Sequence, residues 1–254
     1  MTNILAIARK ELRAYFASPI GYVVIALYAA VFGFFYWAYL SYFVRQGMQG
    51  AMGMGGPLNI NQQLIRPVLM NSIVINLFVV PLISMRTYAE ERRSGTIELL
   101  MTSPITDFQI IVGKFLGAMG LYTAMVGVTV IHIGILFAFG GPEWKPIVTA
   151  YLGLLLLGGC FLSIGLFFSS LTRNQIVAGM FTFAVLLLLW ILDWVSGFTG
   201  PTVEKVITYV SITSHLEDFV RGVIDTRHLV YYLSFITFGL FITAKAVDSE
   251  RWRG

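Results

Sequence analysis

Ile20-Gly-Tyr-Val-Val-Ile-Ala-Leu-Tyr-Ala-Ala-Val-Phe-Gly-Phe-Phe-Tyr-Trp-Ala-Tyr-Leu-Ser-Tyr-Phe-Val44 is a run of 25 residues without one charged side chain. A helix needs about 20 such residues to cross the hydrocarbon layer of a bilayer. Five further runs follow, so the candidate spans are 20–44, 68–85, 115–139, 147–170, 176–195 and 229–247, and only Asp193 and Lys245 carry charge within them. Unpaired backbone groups are too costly in lipid for open strands, and a closed barrel would need short alternating segments. These runs do not alternate. The expected fold is therefore all-α and integral to the membrane, with six spans in a single domain. The composition agrees: 57% hydrophobic, 12% charged, mean hydropathy +0.79, against roughly a quarter charged in soluble domains.

Charge placement predicts orientation. With the N-terminus inside, the inner segments hold Arg9, Lys10, Arg13, Arg86, Arg92, Arg93, Lys114, Arg173, Lys245, Arg251 and Arg253, which is 11 of the 17 cations. The positive-inside rule then puts both termini in the cytoplasm. The net charge of +4 follows from topology and does not point to nucleic acid. The first run is too long for a secretory signal and no small-residue cleavage site follows it, so it is expected to stay in the mature protein. Cys160 lies within a span with no second cysteine to pair with and reads as packing.

Residues 1–18 read as an interfacial amphipathic helix. Ile4, Leu5, Ile7, Ala8, Leu12, Tyr15 and Phe16 share one face, Arg9, Lys10 and Arg13 lie opposite, Asn3 is placed to cap it, and Ser18-Pro19 ends it. Glu11 falls on the apolar side, where it either meets a specific cation or donor or snorkels to water. The glycine-rich stretch 46–66 is expected as an external loop. Met48, Met52 and Met54 in it could in principle hold Cu(I), but with no His or Cys nearby they read as flexible apolar contacts.

The longest charged stretch, 86–110, separates the second and third spans. Gly95 is a helix stop, Thr96 can cap a second short helix with Glu98 in its first turn, and Pro104 closes it. Thr106 with Gln109 forms a capping box at the start of the third span. Leu99, Leu100 and Met101 are left as an apolar tip outside the bilayer, either a partner-docking helix or a solvated loop with a few buried leucines. After the fifth span, 197–226 offers an outer amphipathic hairpin. One stripe is Val203, Val206, Ile207 and Val210, and the other is Leu216, Phe219, Val220, Val223 and Ile224, opened by a capping box from Ser214 to Glu217. Each is too short to span, so the pair is a surface or re-entrant element.

Chemistry is sparse. No phosphate-cradling G-x-x-x-x-G-K-[ST] sequence occurs, and Gly113-Lys114 lacks its flanking residues. His132, His215 and His228 are scattered along the chain without ligand spacing, so no metal site and no cofactor is expected. His132 inside a span reads either as a functional candidate or, more readily, as a packing histidine, and Asp193 as reaching the outer interface rather than carrying protons. An ATP-independent channel or secondary transporter would place ionisable residues near mid-span, and an intramembrane enzyme would need a nucleophile and base; the spans offer neither set.

Arg9-Lys-Glu-Leu-Arg-Ala-Tyr-Phe-Ala-Ser-Pro-Ile-Gly-Tyr-Val24 and Tyr88-Ala-Glu-Glu-Arg-Arg-Ser-Gly-Thr-Ile-Glu-Leu-Leu-Met-Thr-Ser-Pro104, followed by Val112-Gly-Lys114, resemble type-2 ABC transporter permeases. The resemblance is nearest to those of gliding motility and of nitrous-oxide-reductase maturation. It implies a dimer of six-helix permeases in the bacterial inner membrane, paired with the same chain or a paralogue. Two separate ATPase subunits would bind ATP and magnesium below, and an accessory periplasmic subunit accompanies some members. It also maps Glu90, Glu91, Arg92, Arg93, Gly95, Thr96, Glu98, Leu99 and Leu100 onto an ATPase-coupling element, and Arg9, Lys10, Glu11 and Arg13 onto the interfacial helix. The cargo is not implied.

Overall fold

All six apolar runs become helices, and most of the helices overrun their run. The computed structural model describes residues 2–51, 59–96, 105–196 and 200–251. Among them every regular element is helical. The order is α1 (Thr2–Ala17), α2 (Pro19–Ala51), α3 (Arg66–Ser84) led in by a π-helical turn at Asn61–Ile65, α4 (Ala89–Ser94), α5 (Asp107–Phe139), α6 (Trp144–Leu171), α7 (Gln175–Ser196), α8 (Pro201–Val210), α9 (Leu216–Val220) and α10 (Thr226–Arg251). Six of these are long and apolar enough to cross a membrane.

Helix ends follow local stop and start signals rather than the first polar residue. Pro19 and Pro201 open α2 and α8, where a missing N–H is harmless. Thr106 and Gln109 form the expected capping box at α5, and Gly95, at φ +73°, stops α4 in the left-handed conformation that glycine favours. The stretch expected as a loop from residue 46 is corrected, because α2 carries Arg45 to Ala51 as helix. No proline stands between Pro19 and Pro57, so the backbone ladder continues through Ala51. At about 1.5 Å per residue its 33 residues outrun a hydrocarbon layer of about 30 Å. Met48 is exposed, and Met52 and Met54 lie outside the described residues.

Two helices form the centre. Of the most apolar stretch of α3 and of α6, 67% is buried, against 22% in α2, 17% in α7 and 22% in α10. The outer helices turn Phe34, Trp37, Phe181, Leu188, Trp194, Phe238 and Phe241 outward. Apolar surface on that scale belongs in lipid. Because lipid is as apolar as the side chains, cohesion between spans comes from close packing and hydrogen bonds. Tyr122 of α5 supplies both: its ring lies directly on Gly158 of α6, and its hydroxyl accepts from Asn76 Nδ2 of α3 at 2.9 Å and donates to the Leu154 carbonyl at 2.9 Å.

The bundle has two unlike ends. One carries α1, the break between α3 and α4, the start of α5 and the α6–α7 turn; it is called the α1 end below. At the other, Asn61 bonds the backbone of Glu143, and α9 packs on α6 and α3. This hairpin end departs from expectation in two ways. The second helix of the hairpin ends at Val220, because Gly222 takes φ +91° against Pro146. Leu216, Phe219 and Val220 are buried, but Val223 and Ile224 are exposed and do not belong to the stripe. The Ser214–Glu217 capping box does not form. Ser214 Oγ donates instead to the Thr208 and Ser211 carbonyls, and Glu217 is drawn to Arg66 at 2.7 Å, a stronger charge-assisted partner.

Candidate coupling site at the α1 end

Helix α3 breaks at Ser84 and restarts as α4 at Ala89. A break inside a packed bundle strands backbone polar groups, and each must find a partner. Three neighbouring helices supply them. From α6, Ser169 Oγ accepts from Tyr88 N at 3.0 Å and Ala89 N at 3.1 Å and donates to the Met85 carbonyl at 2.9 Å, which uses its one donor and both lone pairs. From α1, Tyr15 Oη donates to the Ile83 carbonyl at 2.8 Å. From α5, Lys114 Nζ donates to the Thr87 carbonyl at 2.8 Å.

Lys114 is the centre of the charge cluster. Its side chain is 1% exposed, and its ammonium also pairs with Glu11 of α1 at 3.0 Å and Glu91 of α4 at 2.8 Å, 5.0 Å from the Tyr88 ring. A lysine buried this far persists only when paired and hydrogen-bonded. Glu11 therefore has the specific partner that was one of its two readings. Lys10, at the mouth of the cluster, reaches Glu91 at 3.1 Å and Glu11 at 3.8 Å. Burial draws its pKa down, but Glu91 and Glu11 outweigh that and raise it, so it stays charged. Burial also raises the pKa of Tyr15. A cleft of about 350 Å³ opens beside the cluster, bounded by Lys10, Glu11, Ala14 and Tyr15 on one side and residues from Arg86 to Thr96 on the other.

Close approach of α1 to α5 brings these groups together. A Cβ added at Gly113 would lie 2.7 Å from Ile7 Cβ, and one at Gly117 2.5 Å from Glu11 Cβ. The contact face of α1 is thus Ile7, Glu11 and Tyr15 with their neighbours, while Leu5 is exposed and leaves the expected face. Asn3 does not cap α1, which already begins at Thr2; its amide donates to Gln109 Oε1 at 3.3 Å. Arg9 and Arg13 are exposed opposite.

The expected coupling residues divide. Glu91 and Arg92 turn inward, Arg92 being 8% exposed. Glu90 pairs with Arg86 at 2.8 Å, and Arg93 is exposed. Thr96 holds its hydroxyl 2.8 Å from that of Ser94. Glu98, Leu99 and Leu100 lie outside the described residues. Ser169 was not singled out from the sequence, and Lys114, read as an inner cation and as the end of the Val112-Gly-Lys114 motif, was given no partner. A lone cation beside glycines at the start of an apolar run, facing an acid on an apolar stripe, was the available signal for Lys114.

The remaining candidates take structural places. His132 sits edge-on to Phe32 and Tyr36 at 5.5 Å each, as a packing histidine does. His215 and His228, scattered in sequence, meet at 4.9 Å at the hairpin end, with His228 on Asp218 at 2.8 Å. Among the described residues no three metal-ligating side chains come together. Asp193 accepts from Ser211 Oγ at 2.9 Å and so anchors the hairpin. Cys160 is buried against the Tyr232 carbonyl.

A six-span helical bundle with a charged, stitched junction at one end is the form of a multi-pass membrane subunit. Residues 5–246 match the family described as ABC-2 family transporter protein, and the chain belongs to that family; it is an ABC transporter membrane subunit. It is also similar to the probable multidrug ABC transporter permease YbhR of Escherichia coli strains K12 and O157:H7, 28% identical over 152 residues. The match takes in 57% of this chain and 39% of those permeases.

Proposed function

We propose that this permease passes the closure of a separate ATPase to its spans through the segment 86–110, with α1 as the neighbouring lever. The observation that carries this reading is the joint at residues 83–89, whose backbone is held at Ile83 by α1, at Thr87 by α5 and at Met85, Tyr88 and Ala89 by α6. A push on α4 would reach three helices without a soft link. Glu90, Glu91, Arg92, Arg93, Gly95, Thr96, Glu98, Leu99 and Leu100 are the expected contact element, with the apolar Leu99–Leu100 pair as its tip. On this reading two ATPase copies bind ATP and magnesium, a second permease (the same chain or a paralogue) completes the complex, and an accessory periplasmic subunit can join it. The α1 end then faces the cytoplasm of the bacterial inner membrane. The multidrug designation of the similar permeases favours export over mechanical work as the output.

The test is co-purification with co-expressed candidate ABC ATPases. Each buried leucine contributes roughly 1.5–3 kcal/mol, and 1.4 kcal/mol is tenfold in affinity. Leu99→Ala/Leu100→Ala is therefore expected to lose ATPase binding by tenfold or more while the permease stays folded. Full binding by that variant would return the segment to a solvated loop. Orientation is read separately: a cysteine at Gly50 should react with an impermeant reagent from outside intact cells, and one at Ser94 should not.

A further inference from the structure

α1 and α4 have separate packing partners. α1 lies on α5 and α2, whereas α4 lies on α6 and α7. Tyr15 ties α1 to α3 above the break, not to α4. Besides Arg86 of the turn, which lies over the Tyr15 ring at 5.7 Å and pairs with Glu90 at 2.8 Å, two side-chain links join α1 to α4 among the described residues. One is Lys10–Glu91, with Lys10 62% exposed, a pair that water and salt weaken. The other is Lys114, whose ammonium donates to Glu11 on α1 and to the Thr87 carbonyl on the turn between α3 and α4, and pairs by charge with Glu91 on α4 at 2.8 Å. The lysine is 1% exposed and Glu11 and Glu91 are 12% and 15% exposed, so moving α4 away from α1 would leave a buried charge without its partner.

We propose that Lys114 is the positioning residue that locks α1 to α4, so that the interfacial helix and the coupling segment move as one rigid lever. The proposal rests on the coupling reading above for its purpose, but the lock itself is a property of this chain alone. Neutral hydrogen bonds would hold the helices at rest. The tripod of charge fixes their separation and their orientation together, because Glu11, Glu91 and Thr87 approach one ammonium from three elements.

The experiment uses the full chain in lipid nanodiscs, with Cys160→Ala to remove the native thiol and spin labels on cysteines placed in pairs. The first pair, Arg13→Cys and Arg93→Cys, spans α1 to α4. The second, Arg93→Cys and Arg173→Cys, spans α4 to the α6–α7 turn, a path held by Ser169. All three positions are exposed. Pulsed electron resonance should give a narrow distance distribution for both pairs in the parent chain. Lys114→Met should broaden or shift the first pair and leave the second narrow. A first pair as narrow in Lys114→Met as in the parent would overturn the lock. Broadening of both pairs would also overturn it, since Lys114 would then be a folding residue. If Lys114→Met does not fold, Glu11→Gln/Glu91→Gln/Lys114→Met, which removes the stranded carboxylates with the ammonium, is measured in its place; failure of that variant to fold also counts against the lock. Because no ATPase is present, the result stands apart from the co-purification test.

Discussion

The two ends of the bundle close their helix breaks by different means. At the α1 end the joint at 83–89 depends on a lysine that is 1% exposed and on two carboxylates beside it. At the hairpin end the buried bonds are neutral: Tyr232 donates to the Ile212 carbonyl at 2.8 Å, and Thr149 donates to the Phe219 carbonyl at 2.6 Å. The ion pairs of that end stand partly in solvent, Arg66–Glu217 with side chains 31% and 45% exposed. The difference teaches where charge carries weight. Losing one partner of a buried pair strands a charge away from water, whereas losing one partner of an exposed pair returns the other to solvent.

The largest effect expected is from Lys114→Ala. It leaves Glu11 and Glu91 unpaired and should lower stability by about 3–5 kcal/mol, read as the thermal midpoint of the detergent-solubilised protein. Adding Glu11→Gln and Glu91→Gln should recover part of the loss, because no carboxylate then remains stranded. If Glu217→Gln at the other end were equally damaging, the contrast between the ends would be wrong. Gly117→Val separates packing from charge at the same joint: it drives a side chain into Glu11 and the Ala8 carbonyl and should lower stability by about 1–3 kcal/mol. A neutral outcome in the same melting assay would show that α1 is not seated on α5 at that point.

Thr149→Val probes the neutral bonds. It leaves the Phe219 carbonyl without its side-chain donor and should lower stability by about 1–2 kcal/mol, with no dependence on salt. Glu217→Gln should change stability by less than about 1 kcal/mol, and added salt should erase what difference there is. A salt-insensitive loss would mark this pair as more buried than its exposure indicates.

The smallest effect is a pH dependence at the hairpin end. Burial lowers the pKa of His215 from its ordinary 6.5, against a raising bond from the Ser211 carbonyl, a lowering neighbour in His228 and a raising one in Asp218. The folded state therefore resists a proton that the unfolded chain accepts. Stability from this group is complete above 6.5 and is lost as pH falls below it. The melting midpoint should fall on mild acidification, and His215→Phe, which keeps a ring to stack on Tyr231, should flatten that fall. A midpoint that holds or rises on acidification would show that His215 does not set the pH dependence.

Signals confined to a few neighbouring residues were legible in the chain itself. Apolar runs located the spans because the bilayer tests each segment by itself. Gly95 and the Thr106–Gln109 box located helix ends because caps are satisfied within one turn. The reach of α2 to Ala51 was misread because a helix continues until something stops it, and glycines in a helix are tolerated. Tertiary contacts overrode local signals elsewhere: Glu217 left its capping box for Arg66, 151 residues away in sequence.

From sequence alone came the six-span helical class, the family, and the need of Glu11 for either a partner or water. The tertiary structure decided which. Lys114 meets Glu11 across 103 residues, and His215 meets His228 where the turn before α9 folds against the start of α10. Pairing between distant residues depends on how helices approach, and that approach is set by absent side chains such as those of Gly113 and Gly117 acting together with bulk on the facing helix. No local pattern encodes such a sum.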